Sequence, residues 1–410
     1  MYYYGLDVHK NTIEICKLFR EGTSRETSSF PTSKENIREF AKSLREDDKV
    51  VLEATFNSWS IYEILKKTKA KIVVANARQV KAIAHAKIKT DKVDAHTLAQ
   101  LLRADFIPDV HMPDEDIWQL RQLMNHRRLL GKQRTSMKNT LHGILNKNLI
   151  KAPADPFTKK GRTWLKKLEL TEFETLMRDN ALTQLEAVEK SIDGVDFELK
   201  ELVIEDPNKQ LLLTIPGVDI VSACGLMAVI GDVSRFKTAD ELSAYFGLVP
   251  RISQSGEKAY YGRITKTGSS LGRWFAVECA QSMAMSSAPL AGTYHRVKNK
   301  KGHNVAVVAL ARKLIVLIWH MLTKKEPYRY APSARTREKL RKLHPALPAL
   351  TRDEVGKRDI NEIYKECGLW AAREASTGEK RTAANNRRTI TRLKKNKTSS
   401  ETGRKIIEEN

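Results

Sequence analysis

Residues 1–19 alternate in character with a period of two on either side of a short polar turn, which restricts the start of this chain to a sheet opened by a hairpin. Met1–Val8 reads as the first strand, His9-Lys10-Asn11 as the turn and Thr12–Phe19 as the second strand. A third short strand near Glu26–Phe30 leads into a helix at Lys34–Leu44. Lys49–Glu53 reads as a buried strand, Trp59–Lys67 as a helix and Lys71–Ala75 as another strand. A helix from about Ala77, a basic loop at Lys87–Thr90 and a helix over Asp91–Ala104 complete the stretch. Three antiparallel strands followed by alternating strand and helix predict a mixed sheet with helices on its faces, an α/β domain over residues 1–110.

The pattern then changes. Polar helical periodicity runs from Asp116 to Leu149 and from Thr171 to Val203, broken at Lys151–Pro156, and predicts an antiparallel helical coiled-coil region over 111–205. Its first helix carries Arg127, Arg128, Lys132, Arg134 and Lys138, cations that suit a phosphate backbone and equally suit a solvated coiled-coil face. From Gln210 the chain turns apolar through Leu211–Ile230, which predicts a mostly helical domain over 206–330. Residues 331–410 are rich in Lys and Arg and end in Thr, Asn, Lys and Ser, as a basic and partly disordered extension would be.

Charge points to the partner. With 72 Lys and Arg against 49 Asp and Glu, the formal net charge is +23, and such an excess is hard to pack unless it meets a polyanion. Nucleic acid is the expected partner, and a merely basic housekeeping protein is the alternative. The four cysteines Cys16, Cys224, Cys279 and Cys367 form no CxxC pair, so neither a zinc finger nor a disulfide framework is implied, and a reducing cytoplasm fits. Asp7, His9 and Lys10 leave no signal-peptide core at the start, and the apolar run Val305–Leu322 contains Arg312 and Lys313, so no membrane span is expected.

Four carboxylates carry the chemistry. Asp7 shares a strand face with Tyr3 and Gly5, and an ionised carboxylate within a sheet is costly unless paired or metal-bound, or unless the strand lies on a solvent-facing edge. Glu53 ends the apolar run Val50-Val51-Leu52, where a buried strand emerges at its carboxyl end. Asp91 and Asp94 lie one turn apart on a helix face, where an N-cap and a first-turn acid would also satisfy free amides and the helix dipole. Converging at one sheet edge, these acids would repel one another, and a hard divalent cation such as Mg²⁺ would neutralise them, with Mn²⁺ as the other candidate. Two such ions can activate an attacking oxygen and stabilise a leaving one at a phosphodiester.

The segments Gly5-Leu-Asp7-Val-His-Lys10, Glu53-Ala-Thr55 and Lys89-Thr-Asp91-Lys-Val-Asp94-Ala95 together resemble the DEDD motif of the IS-one-ten family of insertion-sequence transposases, relatives of the Piv DNA invertase. Phe246-Gly-Leu-Val-Pro250, Gln254-Ser255-Gly256 and Gly262-Arg-Ile-Thr-Lys266-Thr-Gly268 resemble the C-terminal half of the same family, so that the two halves span roughly residues 1–325. The resemblance implies an RNase H-like (RuvC-like) first domain in which Asp7, Glu53, Asp91 and Asp94 bind Mg²⁺. It also implies a serine nucleophile, which maps onto Ser255, with Ser253, Ser269 and Ser270 as rivals. Ser269 or Ser270 would alternatively cap a helix beginning near Leu271.

A serine hydroxyl is a weak nucleophile until activated. Lys258, Arg263, Lys266 and Arg273 are placed in sequence to hold a phosphate's charge, although a Ser-Gly with basic neighbours is also an ordinary turn. Leu213-Thr-Ile-Pro216-Gly217-Val218 resembles a helix-hairpin-helix element whose turn amides meet a DNA phosphate, with Asp219 where that motif has glycine. The function implied is a DNA transposase or recombinase, cleaving and exchanging donor and target DNA through Ser255 and the metal site. The family resemblance adds a structured guide RNA and a homo-oligomer, dimer or tetramer. The rival readings are a metal-dependent, structure-specific DNA endonuclease that uses water, and a non-catalytic nucleic-acid scaffold.

Overall fold

The N-terminal strands pair as their alternation requires. A computed structural model describes residues 1–22, 24–84, 90–255, 258–286, 288–330, 332–343 and 359–369, with isolated positions 371, 381, 384, 385, 388 and 391. The chain divides into two compact units, Met1–Asp114 and Glu115–Asn410. In the first, β1 (Tyr3–Val8), β2 (Thr12–Leu18) and β3 (Arg25–Pro31) form an antiparallel meander, followed by α1 (Lys34–Ser43), β4 (Lys49–Glu53), α2 (Ser58–Leu65), β5 (Lys71–Ala75), α3 (Ala77–Ile83) and α4 (Asp91–Arg103). The sheet order is β3-β2-β1-β4-β5, with β4 parallel to β1 and β5 parallel to β4, a mixed five-stranded sheet.

Both faces of this sheet are covered, which explains why Val50, Val51 and Leu52 are all buried rather than alternating. On one face Tyr4, Leu6, Val8, Ile13, Ile15, Val50 and Leu52 pack with Ile37 of α1 and with Ile61 and Leu65 of α2. On the other, Tyr3, Cys16, Leu18 and Val51 pack with Ala95, Leu98, Ala99 and Leu102 of α4. Burying each such Leu or Ile contributes about 1.5–3 kcal/mol. Gly5 sits where α4 crosses β1: a β-carbon there would meet the Ala95 carbonyl oxygen and lie 2.6 Å from the Ala99 nitrogen. Only a residue without a side chain lets this helix lie flush on this strand.

The second unit begins with the helical hairpin. Its helices α5 (Glu115–Lys147) and α7 (Glu172–Ile204) run antiparallel, as shown by the pairing of Arg127 with Asp196 at one level and of Lys147 with Glu174 at another. The break between them holds a short helix, α6 (Lys159–Lys166), whose Leu165 fills a small core with Leu141, Leu145, Leu182 and Leu185. Thr171 and Glu174 cap α7 reciprocally. Next come α8 (Pro207–Leu213), α9 (Ile220–Ile230), α10 (Ala239–Tyr245), β6 (Pro250–Ser255), β7 (Lys258–Ile264), α11 (Ser270–Ala284), α12 (Ala291–Lys301), α13 (His303–Lys324), α14 (Ser333–Leu343) and α15 (Ile360–Glu366).

Three features differ from the sequence reading or refine it. The apolar run 305–322 is the core helix α13, burying Ala306, Val307, Leu310, Leu314, Ile315 and Ile318, so its hydropathy is accounted for by packing. The domain expected to be mostly helical also contains the hairpin β6–β7 on either side of Ser255. The reason lies in the flanks, since Ile252, Tyr260 and Tyr261 favour extended backbone. Finally, the segment after Tyr330, read as an extension, adds Leu340, Leu343, Ile363 and Tyr364 to the same core as Leu120 and Met124 of α5. The Tyr364 hydroxyl donates to the Tyr328 carbonyl at 2.8 Å. The remainder of 331–410 lies largely outside the described residues.

Candidate metal centre and serine hairpin

Asp7 is the next-to-last residue of β1, on the face that α4 covers, and its side chain is 15% exposed. Leu6 pairs with Leu52 across β1 and β4, so Asp7 and Glu53 occupy neighbouring positions one residue further along both strands. Gly5 brings the first turn of α4 down over them. Thr90, not Asp91, caps that helix by accepting a hydrogen bond from the Val93 amide at 3.3 Å, which leaves the Asp91 carboxylate free of the capping role. One Asp91 oxygen lies 3.3 Å from His9 Nε2, and His9 Nε2 lies 3.2 Å from an oxygen of Asp7.

Asp7, His9 and Asp91 thus present ligand atoms that all lie within 4.8 Å of one another, a set that one ion can reach. Burial pushes the Asp7 carboxyl above its ordinary range; His9 pulls it down, while Asp91 and Asp94 push it up. His9 is raised, chiefly by the negative charge of Asp7 and also by Asp91. Acids held together against their own repulsion, and partly desolvated, are the chemistry a divalent cation relieves. The oxygen-rich donor set suits Mg²⁺ or Mn²⁺, and the imidazole leans toward the latter.

Of the four acids expected here, Asp7 and Asp91 meet through His9, Asp94 lies near enough to act on Asp7, and Glu53 adjoins Asp7 by register. The sequence reading overlooked His9. Its signal was the i, i+2 spacing from Asp7 at a strand end, which puts both side chains on one face. Lys89, in the motif before Asp91, lies outside the described residues, as does most of the basic loop at 87–90.

Ser255 ends β6 opposite Lys258, while Ser253 stands opposite Tyr260. The Ser255 side chain, Gly256 and Glu257 lie outside the described residues. The hairpin's base is clamped where two motif glycines take left-handed backbone, Gly247 at φ 67° and Gly268 at φ 111°. A β-carbon on Gly247 would lie 2.6 Å from the Thr267 carbonyl oxygen, and one on Gly268 would strike the Tyr245 carbonyl, so the chain entering β6 and the chain leaving β7 cross at close quarters. The strands themselves are exposed, with Ile252, Tyr260 and Tyr261 60%, 66% and 71% accessible.

The rival serines and the cations sort by what they touch. Ser269 caps α11, accepting from the Gly272 amide at 3.1 Å, and Ser270 begins that helix. Arg273 donates to the Phe246 carbonyl at 3.2 Å and burial lowers its pKa. Arg127 donates two hydrogen bonds to Asp196, at 2.6 and 3.0 Å, and Lys138 sits 4.6 Å from the Phe157 ring centroid. Arg128, Lys132, Arg134, Lys258, Arg263 and Lys266 make no ion pair among the described residues. At the Pro216–Gly217 turn, Asp219 caps α9 by accepting from the Ser222 amide at 2.8 Å. Lys339 donates to the Leu213 and Ile215 carbonyls there at 2.9 and 2.8 Å. A carboxylate at that helix start opposes a phosphate rather than inviting one.

Comparison with known proteins covers both units. A family described as "Transposase" matches residues 4–149, and one described as "Transposase IS116/IS110/IS902 family" matches residues 209–296. The chain is 28% identical to a transposase for insertion sequence element IS1111A of Coxiella burnetii, over 59% of this chain and 68% of that one. It is 27% identical to a protein of insertion element IS116 of Streptomyces clavuligerus, over 60% and 73% of the two chains. A pilin gene-inverting protein of Moraxella lacunata is 24% identical over 80% of this chain and 97% of its own.

Proposed function

This chain belongs to the IS116/IS110/IS902 family of transposases and is an insertion-sequence transposase acting on DNA; from that premise we propose that it cuts and exchanges strands with a serine nucleophile and a carboxylate metal centre. The first unit is read as RNase H-like (RuvC-like), with Asp7, Glu53, Asp91 and Asp94 as ligands and His9 beside them. The observation that carries this reading is the convergence of Asp7, His9 and Asp91 at the carboxyl ends of β1 and β4. A divalent cation bound there would offset the acids' repulsion and withdraw charge from the scissile phosphate. Asp7 and Asp91 hold that position, and α4 keeps them from spreading.

Ser255 is the proposed nucleophile. Its hydroxyl oxygen bonds to phosphorus as the bond from phosphorus to the deoxyribose oxygen breaks. The serine hydroxyl proton is released to water, and the departing deoxyribose oxygen takes up one from water to leave as a hydroxyl. The reverse step, with the hydroxyl of another strand, rejoins the backbone without loss of bond energy. Lys258, Arg263 and Lys266 are the proposed phosphate contacts on and after the hairpin, and Arg128, Lys132 and Arg134 those on α5. A structured guide RNA that pairs with donor and target, a homo-oligomeric assembly and a cytoplasmic setting complete the proposal.

The test is the covalent intermediate. Incubating the full-length protein with labelled donor and target DNA, the RNA transcribed from the element and Mg²⁺ or Mn²⁺, then denaturing, should trap a protein–DNA adduct whose phosphate is on serine. Cleavage without any adduct would instead support hydrolysis by water, the endonuclease reading, which the self-contained acid cluster of the first unit favours as the alternative.

A further inference from the structure

Within the second unit a cavity of about 690 Å³ opens beside α5, with Val221, Trp274 and Phe275 as its apolar wall. Arg128, Gly131, Lys132, Thr135 and Asn139 line it from α5 at spacings of three and four, so one helix face supplies its charge. No acidic residue lines it, and among the described residues neither Arg128, Lys132 nor Arg134 has an ion-pair partner. A cavity so charged repels itself until an anion enters. Gly131 keeps the floor bare, since a β-carbon there would meet nothing nearer than the Arg127 guanidinium at 3.8 Å.

Trp274 is the uncommon element. Trp59 and Trp319 spend their indole N–H groups on the carbonyls of Pro113 and Phe236, whereas Trp274 is 39% exposed and its N–H has no partner among the described residues. The Arg128 guanidinium stands 6.0 Å from the Trp274 ring centroid. A base stacked between two planar groups needs about 7 Å, twice the roughly 3.4 Å rise of stacked bases, so a small rotation of the flexible Arg128 side chain would admit one. Phosphates on either side would then fall to Lys132 and Arg134.

We propose that this groove binds single-stranded DNA, with one unpaired base held between Arg128 and Trp274. A paired base has both faces covered by its neighbours in the stack, so an open indole face flanked by cations selects an unpaired strand. The inference rests on the transposase reading for one point only, that the strand is DNA; strand exchange necessarily exposes unpaired nucleotides.

The experiment is anisotropy titration of the full-length protein, in chelator and at fixed salt, with labelled oligothymidylate, a labelled duplex and labelled oligouridylate. Trp274→Ala should weaken oligothymidylate binding about five- to a hundredfold, the usual worth of one stacked base, and change duplex binding less than about twofold. Trp274→Phe should retain most of the affinity. Trp274→Leu, which keeps an apolar cover over Phe275 but no stacking face, should fall with alanine and guards against misfolding of the alanine variant. Lys132→Ala should weaken oligothymidylate and reduce the salt dependence of its binding. Equal loss on duplex and single strand, no loss in the Leu variant, or Trp274-dependent binding of oligouridylate alone would each overturn the proposal. Wild-type protein that binds no oligothymidylate, or binds it independently of Trp274, removes this inference and leaves the transposase reading standing, because that reading is tested by the adduct.

Discussion

The acid cluster and the serine hairpin are built in opposite ways. The cluster is held by core packing: β1 and β4 are buried on both sides, Gly5 seats α4 on the sheet, and two carboxylates and an imidazole are brought together at a cost the fold absorbs. The hairpin is a two-stranded ribbon with its aromatic side chains in solvent, clamped only at its base by Gly247 and Gly268. A ribbon of two strands alone is marginal in water. The lesson is that the carboxylates are positioned by the core around them, whereas the hairpin is positioned only through its base.

The largest effect that can break this contrast is at Asp7. Asp7→Asn should cut DNA cleavage by more than about a hundredfold, beyond what loss of a supporting hydrogen bond to a metal ligand costs. The metal-free variant should melt no lower than wild type, because it sheds a buried charge opposed by Asp91 and Asp94. A variant that melts much lower would mean that the cluster stabilises the fold. Ser255→Ala comes next: adduct and strand exchange should vanish while DNA affinity stays within about twofold and the melting temperature is unmoved. Full exchange by that protein would dismiss Ser255.

Gly5→Ala probes the seating of α4. The added methyl should destabilise the first unit by about 1–3 kcal/mol, as overpacking does, and weaken divalent binding measured by calorimetry. Unchanged metal affinity would show that the strand-to-helix distance does not set the site. The smallest effect belongs to Glu174 at the far end of the helical hairpin. Hydrogen bonds from Lys147, Asn148 and Thr171 hold its carboxyl at about 2 instead of the usual 4.5. The unfolded chain therefore binds more protons in that interval, so the stabilisation is complete above pH 4.5 and is lost as pH falls toward 2. Glu174→Gln should flatten the melting temperature's dependence on pH across that window while leaving cleavage at neutral pH unchanged.

Most of the first unit was legible because its determinants are local. Period-two alternation, the turn at His9–Asn11 and the acids' positions on strand, strand end and helix face can be read from neighbours in sequence. What escaped depended on distance. His9 joins the cluster only because Gly5 lets α4 descend, and that contact links residues ninety apart in the chain. Thr90 took the capping role that Asp91 might have held, a choice between neighbours that spacing leaves open. The hairpin was hidden because a Ser-Gly among basic neighbours reads as an ordinary turn until the β-forming residues on both sides are counted. The basic helix looked uniform, yet Arg127 is committed to Asp196 and Arg128 is not, since the facing side chain decides.

The two 33-residue helices of the second unit are each about 50 Å long at 1.5 Å per residue. They are fastened to each other part-way along by Arg127 and Asp196 and at one end by Lys147, Asn148 and Glu174. Two ties along the pair resist shear, so rotation at its root is carried toward its tip. From the level of Arg127 to Lys147 the arm is about 30 Å long, so a turn of about 5° sweeps the tip through roughly 3 Å, about the length of a hydrogen bond. The pair therefore has the proportions of a lever, in which a small rotation at the root becomes a larger displacement at the tip.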